Sequence, residues 1–279
     1  MRKYAWLLRV LIAGSLAGGN VASTAVGNLG LQLIDKDAPS SVDVELVIAV
    51  DVSYSMDEDE LVVQREGYAQ AVTSKEFLQA LKAGPSKRLA VTYFEWSASD
   101  DQKIIVPWRL IDGPESADAL AAEIMKTPVR RGSRTSISGA IRFAVPLFDQ
   151  DRYHGLRRVI DISGDGANNE GAPVTVARNA ALEKGITING LPIMMKRTAV
   201  SMMDIDDLDS YYEDCVIGGP GSFMLVIRER EKFKEAIRTK LAMEVAGLTP
   251  AYRIVSVAES EPRVSCGIGE EIWERRSRW

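Results

Sequence analysis

The chemistry in this chain gathers in three short stretches rich in oxygen donors. The first is "DVSYS", in which Asp51, Ser53 and Ser55 follow the apolar run "VELVIAV" (44–50) and precede the acidic burst "MDEDE". In extended backbone, alternate side chains share a face, so one carboxylate and two hydroxyls can converge on a point just past a strand end. The second stretch, "RRGSRTSISGAI", puts Thr135 in a glycine-containing loop ahead of a helix. The third, "VIDISGDGANN", puts Asp165 directly after another apolar run. Carboxylates, hydroxyls and water are the ligands that hard divalent cations take. There is no cysteine pair at zinc-ligand spacing, and the chain has one histidine, His154, so zinc or a soft metal is not indicated. The competing reading of "DVSYS" is a strand-to-helix loop whose serine caps the helix.

These residues need a frame that brings distant segments to one edge. The chain supplies alternating strand and helix patterns. Strands are expected at 44–50, 88–96, 103–111, 156–163, 186–194 and 222–227. Helices are expected at 58–72, 75–83, 114–127, 137–149, 172–185 and 229–246, with a helix-like acidic segment around "DIDDLDSYYEDCV". Continuous apolar strands alternating with helices imply an α/β fold. The expectation is a Rossmann-like doubly wound, mostly parallel sheet with helices on both faces. Pro107 lies inside 103–111 and cannot donate to a ladder, which assigns that strand to an edge, here an antiparallel one. In such sheets ligands bind at the carboxyl ends of the strands, where "DVSYS" and "SGDGANN" both sit.

Composition narrows the function classes. With 279 residues, 46% hydrophobic and 26% charged, the chain is ordinary for a globular protein, and a net charge of −5 argues against nucleic acid as a partner. The N-terminus differs from the rest. Arg2, Lys3 and Arg9 precede the apolar "VLIAGSLAGG", and Ser23 and Ala25 stand where a signal peptidase requires small residues. The resulting division is a signal peptide at 1–25 cleaved near Ala25, a leader at 26–42, a domain at 43–246 and an appendage at 247–279. This makes the protein periplasmic or secreted, with membrane attachment only if the signal segment stays uncleaved. The two cysteines, Cys215 and Cys266, are compatible with a disulfide or with two buried thiols. The "MDEDE" run reads as a helix start or as acidic surroundings for a cation. Arg130, Arg131 and Arg134 read as surface residues or as a rim for an acidic ligand.

The three stretches together resemble the metal-ion-dependent adhesion site (MIDAS) of von Willebrand factor A (VWA) domains, and the chain looks closest to uncharacterised secreted bacterial VWA-like proteins. That signature is Asp-x-Ser-x-Ser after the first strand, a mid-domain Thr, and an Asp followed by Gly after the fourth strand. It is matched here by Asp51, Ser53, Ser55, Thr135, and Asp165 with Gly166. One position departs. Gly164 stands where many relatives carry Thr before the Asp, a change in loop geometry rather than in ligand chemistry. The resemblance implies a non-enzymatic module that holds Mg²⁺ (or Ca²⁺ or Mn²⁺) and captures an Asp or Glu carboxylate of a protein partner. Two alternatives stand beside it. One is a haloacid-dehalogenase-like phosphohydrolase, suggested by Asp51 and "GDGANN" but lacking a second Asp at position 53. The other is a structural VWA module whose metal site does not function. A serine hydrolase is disfavoured, because neither Ser53 nor Ser136 sits in a Gly-x-Ser-x-Gly elbow.

Overall fold

The first apolar run becomes the centre of the sheet. In the computed structural model, which describes residues 40–195, 205–248 and 262–278, β1 (Ser40–Asp51) lies between β2 (Leu89–Trp96) and β4 (Tyr153–Gly164). The strand order is β3-β2-β1-β4-β5, with β3 (Gln102–Ile111) and β5 (Ile186–Pro192) outermost. Every pairing is parallel except that of β2 with β3, the edge strand that carries Pro107. The β2–β3 register shifts between Val91 and Phe94, opposite the proline. β1 starts at Ser40, inside the segment read as leader. The signal-like residues 1–25 lie outside the described residues, as does "AYRIVSVAES" (251–260), which reads in the sequence as a strand.

β1 separates the two layers by parity. Val44, Leu46, Ile48 and Val50 face a core built with α1 (Glu58–Val72), α2 (Lys75–Ala83), α3 (Pro114–Lys126) and α7 (Phe233–Ala246). Val47 and Ala49 face the opposite core, built with α4 (Ile137–Ala144), α5 (Val174–Glu183) and α6 (Leu208–Tyr211). Two-residue alternation is what lets one strand serve both cores. The "MDEDE" run starts a helix: Asp57 caps α1, accepting from the Glu60 amide at 2.7 Å while the Glu60 carboxylate accepts from the Asp57 amide at 2.9 Å.

Three expected elements are altered, each for a local reason. The 137–149 helix ends at Ala144 and continues as a 3₁₀ turn, because Pro146 has no N–H to give. The helix expected at 229–246 begins at Phe233, after a 3₁₀ turn at Arg230–Lys232, and is capped past Ala246 by Gly247 in the left-handed region. Residues 222–227 run alongside β5 without a continuous ladder, Met224 bridging Gly190 and Ile227 bridging Ile193 just past the strand end. The Phe223 amide is taken by the Asn189 side chain at 2.8 Å, so the ladder there is interrupted.

One charged group lies deep between sheet and helix. Lys240 of α7 places its Nζ 2.6 Å from Asp161 of β4 and 2.6 Å from Glu244, whose other oxygen accepts from Asn189 at 2.7 Å. All four residues are buried. Burial raises the pKa values of Asp161 and Glu244, and the lysine opposes that rise.

Candidate metal centre

The three donor-rich stretches meet at the carboxyl end of the sheet, where they are stitched to one another in pairs. The loop after β1 and the Thr135 loop are joined by backbone: the Gly132 amide donates to the Val52 carbonyl at 2.8 Å, and Ser53 bridges Gly132. The Thr135 loop and the loop after β4 are joined reciprocally. The Thr135 amide donates to Asn169 Oδ1 at 3.0 Å, and the Asn169 amide donates to the Thr135 carbonyl at 2.8 Å. The first and third loops are joined by the donors themselves, Ser55 Oγ donating to Asp165 Oδ1 at 2.6 Å. Each loop is therefore held by both of the others.

Within this triangle the oxygens form a short chain. Ser53 Oγ lies 2.6 Å from Ser55 Oγ, which contacts Asp165. Asp51 is wholly buried, and its Oδ1 accepts from the Ser53 amide at 2.7 Å. Its Oδ2 has no hydrogen-bond partner among the described residues. Thr135 borders the same loop: a Cβ on Gly166, next to Asp165, would lie 3.7 Å from Thr135 Oγ1. Burial first, and then the charge of Asp165, push the Asp51 carboxyl well above the usual carboxylate range. An orphaned buried carboxylate oxygen beside clustered hydroxyls is a donor set that fits a hard cation. Among the described residues no group of three or more His, Cys, Asp or Glu is placed to hold a metal. The candidate set has only two carboxylates, so its capacity rests on hydroxyls.

The rim arginines are engaged within the chain. Arg130 donates to both oxygens of Asp101, at 2.9 and 2.8 Å, and to the Glu95 carbonyl. Arg131 donates to the carbonyls of Tyr54 and Met56 at 2.8 and 2.6 Å, fastening the loop that carries Ser53 and Ser55. Arg134 adopts a positive φ of 69°, an unfavourable backbone for a residue with a side chain. Its guanidinium lies 3.4 Å from the centroid of the Trp273 ring. Thr135 thus follows a strained residue that is held from outside its own loop.

That hold comes from the tail, which was read as an appendage. Residues Ile268–Ser277 form α8, which lies against the third loop. Gly269 abuts the Asn168 backbone so closely that a Cβ there would lie 2.0 Å from its carbonyl oxygen. Glu270 accepts from Asn168 Nδ2 at 2.7 Å. Cys266, just before the helix, is disulfide-bonded to Cys215 with Cα atoms 5.5 Å apart, which settles the open cysteine question in favour of pairing. The legible signals were Ile268 and Ile272 one turn apart, acids in the first turn and arginines in the last. Replacing Cys215 and Cys266 by serine is expected to free α8 and weaken cation binding several-fold, measured by titration calorimetry, while the sheet's far-ultraviolet signature is unchanged.

No curated protein matches the chain in sequence. Proximal thread matrix protein 1 from the mussel byssus, in a form with a zinc-occupied MIDAS motif, is 14% identical with a TM-score of 0.55, over 75% of this chain and 49% of that one. The pilus adhesin SpaC from Lactobacillus rhamnosus GG is 12% identical with a TM-score of 0.54, over 75% of this chain and 31% of that one. The chain spans about half the length of the mussel protein and less of the adhesin. At such identities the likeness shows the fold, and that fold is the VWA fold. A family model described as "Protein of unknown function (DUF1194)" matches residues 41–249, and the chain belongs to that family.

Proposed function

We propose that the protein is an exported, non-enzymatic adhesion-type module that captures an acidic side chain of a protein partner through a divalent cation, Mg²⁺ foremost, with Ca²⁺ and Mn²⁺ as substitutes. The hydroxyls of Ser53, Ser55 and Thr135 and the carboxylates of Asp51 and Asp165 would hold it. When bound, the ion supplies an electrophilic centre that a partner's carboxylate can fill. The observation that carries this reading is the pairwise stitching of three loops around a buried hydroxyl–carboxylate chain, with Asp51 Oδ2 left unpaired at its centre. Mostly neutral donors leave charge on the ion for an incoming anion. Tyr54, 61% exposed between the two serines and 5.1 Å below the Arg131 guanidinium, offers an aromatic contact for the same partner.

The phosphohydrolase reading is disfavoured because Asp51 is wholly buried and Ser53 stands where the proton donor would be. Export is supported by the Cys215–Cys266 disulfide, since such bonds persist in oxidising compartments. The proposed division keeps residues 1–25 as a removable signal and 26–42 as a leader. It extends the working unit 43–246 by the α8 tail.

Thermal unfolding with and without Mg²⁺ tests the proposal. Mg²⁺ at a hundred times its dissociation constant is expected to stabilise the fold by about 2.7 kcal/mol, and EDTA to remove that gain. The sign with pH follows from Asp51. With its folded pKa raised, the ion-free chain binds more protons than the unfolded chain above the ordinary carboxylate range, so its stability falls as pH rises. Protons and cation compete for that carboxylate, so the Mg²⁺ gain is larger at mildly alkaline than at mildly acidic pH. A Tm indifferent to both Mg²⁺ and EDTA would leave a structural module as the surviving reading.

A further inference from the structure

Tyr212 enters the candidate site from a segment remote in sequence, along a path that two glycines keep open. It is wholly buried at the start of a π-helical turn, Tyr212–Val216, which also carries Cys215. A Cβ on Gly190 of β5 would lie 2.8 Å from Tyr212 Cδ1, and a Cβ on Gly164 of β4 would lie 2.8 Å from Tyr212 Oη. Gly190 pairs with Ile162, two residues before Gly164, so the glycines form one side-chain-free strip across the ends of adjacent strands. The ring lies along that strip and could not occupy it beside larger residues. Its hydroxyl reaches the point where the strip meets the metal centre, for the same Gly164 Cβ would also lie 2.9 Å from Asp51 Oδ2.

Two buried polar atoms therefore border one missing side chain, and neither has a hydrogen-bond partner among the described residues. One is a phenol that can donate, the other a carboxylate oxygen that can only accept once ionised. Orphaned buried groups cost free energy, so an adjacent donor and acceptor of this kind call for a joint role. Resting on the cation reading above, we propose that Tyr212 is a positioning residue of the metal centre. Its hydroxyl steadies Oδ2 of Asp51 from behind, while the Ser53 amide holds Oδ1, so that the carboxylate is oriented before the ion arrives. Gly164, the departure from the family pattern, is then explained: the hydroxyl at this point comes across the sheet from Tyr212, and a side chain at 164 would displace it.

The test is the dissociation constant of Mn²⁺, measured calorimetrically on the folded full chain at a temperature well below every variant's ion-free Tm. Tyr212→Phe, which removes only the hydroxyl, is expected to weaken binding about 10-fold, as losses behind a ligand typically do. Gly164→Ala, which drives a methyl between the two oxygens, is expected to weaken it as well, and it carries the test if Tyr212→Phe fails to fold. Tyr93→Phe is the control, because that equally buried phenol has Glu95 and Arg65 as its charged neighbours and should leave binding unchanged. A merely structural tyrosine would lower the ion-free Tm without moving the dissociation constant, and that result overturns the proposal. So does Tyr212→Phe binding Mn²⁺ as tightly as the unmodified chain. If the unmodified chain binds no Mn²⁺ or Mg²⁺ at all, the cation reading itself fails and this proposal with it.

Discussion

The Ser53→Ala/Ser55→Ala double variant is expected to bind Mg²⁺ at least about 100-fold more weakly than the unmodified chain, since even losses behind a ligand cost 10- to 100-fold. The two hydroxyls stand 2.6 Å apart and lead directly to Asp165, so their removal takes away two neutral donors together and leaves mainly the carboxylates. Two negatively charged groups alone neutralise the ion and reduce its pull on an incoming carboxylate. Partner capture should therefore fall further than ion binding. The fold should survive, because the Ser53 amide still donates to Asp51 and the Gly132–Val52 link is backbone. The expected cost is about 1 kcal/mol for each hydrogen bond removed. Calorimetric titration of Mg²⁺, urea unfolding in EDTA, and recovery of partners from exported fractions with and without EDTA measure the three effects separately. Unchanged Mg²⁺ affinity in a folded double variant would remove these serines from the site, and the adhesion reading would lose its basis.

Lys240→Met should destabilise the fold by about 3–5 kcal/mol at neutral pH, the range for breaking one side of a buried ion pair. The lysine is the cation against which Asp161 and Glu244 are buried, at 2.6 Å from each. Without it both carboxyls rise further above their ordinary pKa. The sign follows: a raised folded pKa means that the folded variant holds protons which the unfolded chain releases. Its stability is then greatest at acid pH and falls as pH rises through the raised values. Urea unfolding at acidic and neutral pH checks both size and slope. A variant as stable as the parent, with no added slope, would show that the pair contributes nothing net. Cation affinity, by contrast, should change little, because the cluster lies inside the sheet–helix layer rather than among the loops.

These two sites differ in how far they could be read from the sequence. Most donors of the candidate metal centre were legible because they lie next to a strand, and strand ends are visible as breaks in an apolar run. "VELVIAV" followed by "DVSYS" states both the strand and its terminus. Pro107 made β3 an edge by the same local logic, since a missing N–H is a property of the residue itself. Lys240 gave no such signal. On α7 it reads as one more charged residue of an amphipathic helix, and its burial depends on which face β4 and β5 present to it. The broken edge at 222–227 was hidden for a related reason. An apolar hexapeptide looks like a strand whatever its neighbours do, yet here a side chain from β5 takes the amide that a ladder would need.

Taken alone, the sequence determined the alternation of strands and helices, the edge position of β3 and the five oxygen-bearing residues of the candidate site, because each rests on local periodicity or on the chemistry of single residues. Only the tertiary structure decided how those five are held: Arg131 on the first loop, Asn169 against Thr135, α8 with Trp273 over Arg134, and Tyr212 behind Asp51. These supports come from segments up to 161 residues from the candidate donors they serve, and contacts at such separation leave no period in a sequence. The physical reason is that a donor must be a particular residue type at a strand end, whereas a support needs only to arrive there, and arrival is a property of the packed chain.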